Sequence, residues 1–190
     1  YGVVMEKILL SEKFLVAGTV SDISFLKPKL IENHCLTNFS LENKLTDDQF
    51  WHLDDYIALP YHQHIQWFFD YIRDHFRELH GRTLVPPTKT DLNVRAIIQQ
   101  SGENINYHNH VNPWDLENSP DISCLYCVSE TPEPCNVIFK YDDGRNKHRL
   151  WKQEIKYNQF ILFSSDIEHY IETNKNSGFL VNLSTHYQLI

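Results

Sequence analysis

The apolar residues of this chain change their spacing at Pro86-Pro87, and that change limits what it can fold into. Before the prolines, Ile65, Phe68, Phe69, Ile72, Phe76 and Leu79 recur at steps of three and four. This is the stripe of an amphipathic helix with one buried side. Asp70, Arg73, Asp74, Arg77 and Glu78 fall on its other side, and Gly81 sits where a helix over 61–80 would end. After the prolines the runs are short and rich in β-branched and aromatic residues. Strands are expected at about 92–100, 105–111, 122–128, 136–141, 148–151, 159–163 and 179–187. Asn118-Ser119-Pro120, Pro132-Glu133-Pro134, Asp142-Asp143-Gly144 and the stretch from Asn174 to Gly178 separate them as turns. Evenly spaced short strands of this kind predict a sandwich or jelly-roll. The helix needs a flat apolar partner, so it is expected on the outer face of one sheet.

The N-terminal half says less. Residues 1–30 read as strands or loops. Thr46-Asp47-Asp48-Gln49 has the capping-box pattern and predicts a short helix running to about Ala58, stopped by Pro60. With 190 residues, the expectation is a single domain, α+β but mainly β, with a helical or irregular extension over 1–90 and the β core over 91–190. A net charge of −8 leaves no basic stripe for a nucleic-acid backbone. No apolar run is long enough for a membrane span, and the one near the N-terminus is too short for a secretory leader. Cys124 and Cys127 form a C-x-x-C, but Ile122, Leu125, Tyr126 and Val128 around them read as a strand, so they are taken as buried reduced thiols. A cytoplasmic location follows.

Chemistry concentrates in Gly102-Glu-Asn-Ile-Asn-Tyr-His-Asn-His110. Residues two apart on a strand share a face, so His108 and His110 can offer two imidazoles to one ion. His169, in Phe-Ser-Ser-Asp-Ile-Glu-His, is the candidate third ligand, returned to the same metal by a β-barrel. Four other histidines, His62, His64, His75 and His80, lie on or beside the helix and are assigned to the surface or rim.

Two stretches resemble the double-stranded β-helix of the iron(II)- and 2-oxoglutarate-dependent oxygenases, near the prolyl-hydroxylase-like and phage or bacterial branches. One is Gly102–His110 followed by Ile122-Ser-Cys-Leu-Tyr126-Cys-Val128. The other is Asn158-Gln-Phe-Ile-Leu-Phe-Ser-Ser-Asp-Ile-Glu-His169-Tyr-Ile-Glu-Thr-Asn174, which is similar to the segment around that family's distal histidine. The resemblance implies Fe(II), with 2-oxoglutarate as co-substrate, and hydroxylation of a small molecule or a peptide. It departs from the family twice. His110 stands where the family has a carboxylate ligand. Either His108, His110 and His169 form the metal set, or the register slides so that His110 leads and Asn112 or Asp115 completes it. No arginine follows the distal histidine at the usual interval, where Ser177-Gly-Phe-Leu180 stands. Lys140, Arg95 or Lys175, together with Tyr126, are the candidates to hold the keto acid's carboxylate, with Lys140 first because it lies on an expected core strand. Tyr107, Trp114, Trp151 and Phe139 are the candidate substrate-pocket walls. A cupin-like three-histidine metalloprotein acting without a keto acid is the alternative, since Gly102 and His108-x-His110 also fit the first cupin motif. A binding module whose histidines carry no metal is the third.

Overall fold

A computed structural model describes residues 13–20, 26–42, 56–58, 63–87, 94–142 and 147–190. In chain order the elements are β1 (Leu15–Thr19), α1 (Leu26–Glu42), β2 (Tyr56–Ala58), α2 (Gln63–His80), β3 (Leu84–Val85), β4 (Val94–Gln99), β5 (Ile105–His108), β6 (Ile122–Cys127), β7 (Cys135–Asp142), β8 (His148–Ile155), β9 (Gln159–Ser164), β10 (Glu168–Ile171) and β11 (Leu180–Leu189). They build two antiparallel sheets. The major sheet runs β1-β9-β6-β11-β4-β2, with β3 also paired to β11, and the minor sheet runs β5-β10-β7-β8. This is the curled, mainly β architecture of a double-stranded β-helix, with helices on one sheet.

Strand alternation divides the core in two. Between the sheets lie Ile97, Leu125, Cys127, Val137, Phe139, Ile161, Phe163 and Leu180. On the outer face of the major sheet lie Ala96, Ile98, Cys124, Tyr126, Phe160, Leu162, Leu183 and Tyr187, covered by the helices. Helix α2 buries Ile65, Phe68, Phe69, Ile72 and Phe76 there. Phe68 stacks on Tyr126 with ring centroids 4.1 Å apart and planes 7° from parallel, and Phe69 packs on Tyr187 at 4.3 Å. Leu79, the last of the expected stripe, is 71% exposed, in a last turn whose residues 77–80 are all exposed. Gly81 ends α2 with φ 65°, and its N–H donates to the Arg77 carbonyl at 2.9 Å.

Three features depart from the sequence reading. Leu26–Glu42 is a 17-residue helix; its start lies within residues 1–30, where strands or loops were expected, and the rest carried no expected element. It has almost no amphipathic period, and Pro28 sits in its first turn, where its missing N–H costs nothing. Tyr56–Ala58 is a strand paired with β4 rather than the end of a helix; the capping-box residues Thr46–Gln49 lie outside the described residues. Strand β10 was not foreseen as an element of its own. The C-x-x-C cysteines are buried and free. They cannot act as a dithiol, because residues three apart on one strand face opposite ways, Cys124 toward the helices and Cys127 between the sheets. Among the described residues no helix is long and apolar enough to cross a membrane.

The helix–sheet layer sets a first prediction. Phe68→Ala should cost about 3–5 kcal/mol. Tyr126→Phe, which removes only the hydroxyl's bond to Asn158 Oδ1 at 2.8 Å, should cost about 1 kcal/mol. Urea unfolding of both variants checks the order, and equal losses would contradict it.

Candidate metal centre

The site starts with the pairing of β10 and β5. These short strands run antiparallel, and their register sets His169 directly opposite His108. Facing residues in an antiparallel pair hold their Cβ atoms about 4.5–5.5 Å apart, close enough for two imidazoles to share one ion. The pairing is locked at its far end, where the Gly102 N–H donates to the Asn174 carbonyl at 2.9 Å and the Asn174 N–H to the Glu103 carbonyl at 2.8 Å. The Asn174 side-chain amide also donates to the Gln99 carbonyl at 2.9 Å. Gly102 takes φ 86° in this turn, a conformation that L side chains rarely adopt.

His110 arrives differently. Strand β5 ends at His108, and His110 stands on the bend that follows. Its backbone N–H donates to the Ser165 carbonyl at 2.9 Å, which turns its side chain back toward the other two. The ring centroids of His108 and His169 are 4.4 Å apart, those of His108 and His110 5.1 Å, and those of His110 and His169 5.0 Å. One ring nitrogen from each of the three lies within 4.8 Å of the others. Asp115 does not belong to this group, which is the set expected for the unslipped register.

The donor set fits a metal ion on two grounds. First, His108 Nδ1 lies 2.8 Å from the Asn106 carbonyl and His169 Nδ1 3.0 Å from the Ile167 carbonyl. A carbonyl only accepts, so each Nδ1 carries the proton and each Nε2 keeps its lone pair for an ion. Second, the surroundings keep His169 and His110 neutral. Burial pushes His169 down to about 3, with the neighbouring His108 adding to the effect. Phe163 and Phe139 close over it, with centroids 4.7 and 5.7 Å from its ring. Burial likewise holds His110 well below the ordinary histidine range, helped by His186, His169 and His108.

A cavity of about 300 Å³ opens beside two of the three, His108 and His110, and is lined also by Arg95, Asn112, Asn118 and His186 among others. Of the candidate carboxylate anchors, Arg95 is the one brought here. It lies on the sheet-facing side of β4 with Ile97, opposite Ser184 of β11. Lys140 does not reach the cavity. Phe139 faces between the sheets, so the next residue faces out, and Lys140 pairs with Glu168 at 2.7 Å on the exposed face. Tyr126 is on the helix-covered side of β6 for the same reason of parity. Lys175 is exposed in the turn beyond β10, toward Gly102 and away from His169.

The expected pocket walls are also displaced. Tyr107 precedes His108, points out of the minor sheet and packs on Tyr170 at 4.5 Å. Trp114 is 93% exposed on the loop after His110. Trp151 lines a separate apolar groove of about 260 Å³ with Phe14, Leu15, Phe139, Tyr141 and Ile167. Of the walls, Phe139 alone flanks a site histidine.

The residue that sequence reasoning missed is His186. It is buried on β11 with its ring 4.4 Å from that of His110. The signal lay in the alternation Asn182, Ser184, His186, three polar residues at every second position of a strand that is buried from Leu180 to Tyr187. Burial, and then the charge of Arg95, push His186 down to about 3.

No family model matches the sequence, and no curated protein does. Solved structures share its fold. A prolyl-4-hydroxylase from Pseudomonas putida superposes with TM-score 0.59 at 9% identity, over 92% of this chain and 87% of that one. SnoK, a non-heme alpha-ketoglutarate-dependent carbocyclase from nogalamycin biosynthesis, gives TM-score 0.61 at 11% identity, over 93% and 79%. The non-heme monooxygenase ThoJ, in its nickel complex, gives 0.58 at 10%, over 92% and 73%. The chain therefore has the double-stranded β-helix fold of the 2-oxoglutarate oxygenases.

Depressed histidines make the metal-free protein acid-sensitive. Between the ordinary value near 6.5 and about 3, the unfolded chain carries protons on His169 and His186 that the folded chain does not. Stability should be unaffected by these two groups above pH 7 and fall as pH drops below about 6.5, by roughly 1.4 kcal/mol per pH unit for each once well below it. Urea midpoints of chelator-treated protein from pH 7.5 to 4.5 check this; a flat profile would contradict it.

Proposed function

We propose that the protein is an iron(II)- and 2-oxoglutarate-dependent oxygenase that hydroxylates a small molecule or a peptide. The observation that carries this reading is the set of three imidazoles, each offering a ring nitrogen within 4.8 Å of the others, in this fold. His108, His110 and His169 would hold the ion on one face and leave the opposite positions to a bidentate keto acid and O₂. Bound iron(II) would supply the O₂ chemistry that, in this class, splits 2-oxoglutarate to succinate and CO₂ and oxidises a substrate C–H bond.

The chain's own residues then have distinct tasks. The Asn106 and Ile167 carbonyls fix the tautomers of two ligands. Phe139 and Phe163 keep water from His169. Arg95 is the proposed anchor for the keto acid's distal carboxylate, since a guanidinium offers two parallel donors to one carboxylate. The four free, buried thiols support a reducing, cytoplasmic setting.

One observation favours a second reading. With His110 in the carboxylate's place, a bound divalent ion keeps its full double charge, as in a cupin-like three-histidine centre that acts without a keto acid. Titrating metal-free protein with iron(II) and 2-oxoglutarate separates the two: the first reading gives a metal-to-ligand charge-transfer band that needs both, the second gives metal uptake indifferent to the keto acid.

His169→Ala and His108→Ala should each abolish tight metal binding, as elemental analysis of the purified variants reads it. Full iron or zinc occupancy in His169→Ala would end the metal-centre reading. Arg95→Ala should weaken 2-oxoglutarate binding tenfold or more, on the order of 1.4 kcal/mol, with metal content unchanged. Lys140→Ala should leave that binding as it is. The reverse pattern, measured by calorimetric titration, would move the anchor out of the cavity.

A further inference from the structure

His110 poses a mechanical problem that His108 and His169 do not. Those two sit on paired strands. His110 lies past the end of β5, and a ligand on a bend loses more order between conformations than a ligand on a sheet. Its support comes from the opposite sheet. The His186 ring packs beside it at 4.4 Å, tilted 52°. His186 is itself clamped, with Nδ1 3.0 Å from Ser123 Oγ and Nε2 3.4 Å from Ser184 Oγ. Ser123 Oγ is also 2.7 Å from Ser165 Oγ. Ser165 is the residue whose carbonyl accepts the His110 N–H. One buried chain, Ser165–Ser123–His186–Ser184, thus meets His110 at both its backbone and its ring.

Two alternatives for His186 fit less well. As a fourth ligand it would need a nitrogen turned to the ion, but both nitrogens face serine hydroxyls, and it does not belong to the set whose nitrogens converge. As plain core filler it would be better served by an apolar side chain, since three serines and an imidazole buried together have to satisfy one another.

We propose that His186 is a positioning residue, which fixes the third metal ligand His110 through the serine chain and so couples metal affinity at the minor sheet to a side chain of the major sheet. The proposal rests on the three-histidine set being a metal site.

Cobalt(II) titration of metal-free protein, followed by ligand-field absorption, tests it through a double-mutant cycle. His186→Ala should bind cobalt roughly 10- to 100-fold more weakly than wild type, the range for residues that orient a ligand, and with altered band intensity. In a His110→Ala background, whose residual two-histidine site is read at millimolar cobalt, His186→Ala should make no further difference, because the ligand it positions is gone. A general loosening of the fold would weaken both backgrounds alike. Should His186→Ala fail to fold, Ser123→Ala cuts the same chain and takes its place in the cycle. Wild-type affinity in these variants, or an equal loss with and without His110, overturns the positioning role and leaves the metal site standing. No cobalt or iron binding by the wild type overturns both.

Discussion

The antiparallel pairing of β5 with β10 is the constraint on which the candidate site depends. It is only a few residues long, yet it turns two histidines 61 places apart in the chain, His108 and His169, into cross-strand neighbours. Asn174 closes one end of this pairing through its backbone and its side chain, and strand β7 backs it with Phe139 opposite His169. A shift of one residue in this register would send His169 out to solvent and bring Tyr170 in, because faces alternate along a strand. The polar ties around Gly102 and Asn174 prevent such a slip.

The major sheet supplies what the minor sheet lacks. Helices α1 and α2 cover one of its faces, with Phe68 on Tyr126 and Phe69 on Tyr187, so the sheet is held as a rigid wall. Its other face brings polar residues to the barrel mouth. Arg95, Ser123, Ser184 and His186 come from three adjacent strands, and His110 rests against them. The site therefore spans both sheets, with two ligands fixed by strand pairing and one by burial against the opposing wall. Low dielectric and crowding among imidazoles keep His110, His169 and His186 neutral, and neutral imidazole is the form that binds a metal.

Parity decided most of the differences between expectation and structure. Lys140, Tyr126 and Tyr107 all lie on strands that were foreseen, and each is adjacent in sequence to a residue that faces between the sheets. All three point the other way. A residue type and an approximate strand position say nothing about which of two faces a side chain takes unless the alternation is clean. In β6 every position is buried, on one face by the opposite sheet and on the other by the helices, whereas β7 buries four of its eight positions and is open toward Asp142. A strand covered on both sides carries no hydropathy signal for its parity. Helix α1 escaped notice for a related reason, since its apolar residues follow no helical period.

By itself, the sequence determined the class of architecture, the helix over α2 and its buried stripe, most strands of the β core, and the three histidines to be brought together. Those follow from local periodicity and from residue chemistry, which are properties of neighbours along the chain. The tertiary structure alone decided that Arg95 and not Lys140 faces the histidine cavity, that His108, His110 and His169 bring their ring nitrogens together, and that His186 stands behind His110. Each of these depends on which face of one strand meets which face of another, and that is settled by register across sheets whose partners lie tens of residues apart.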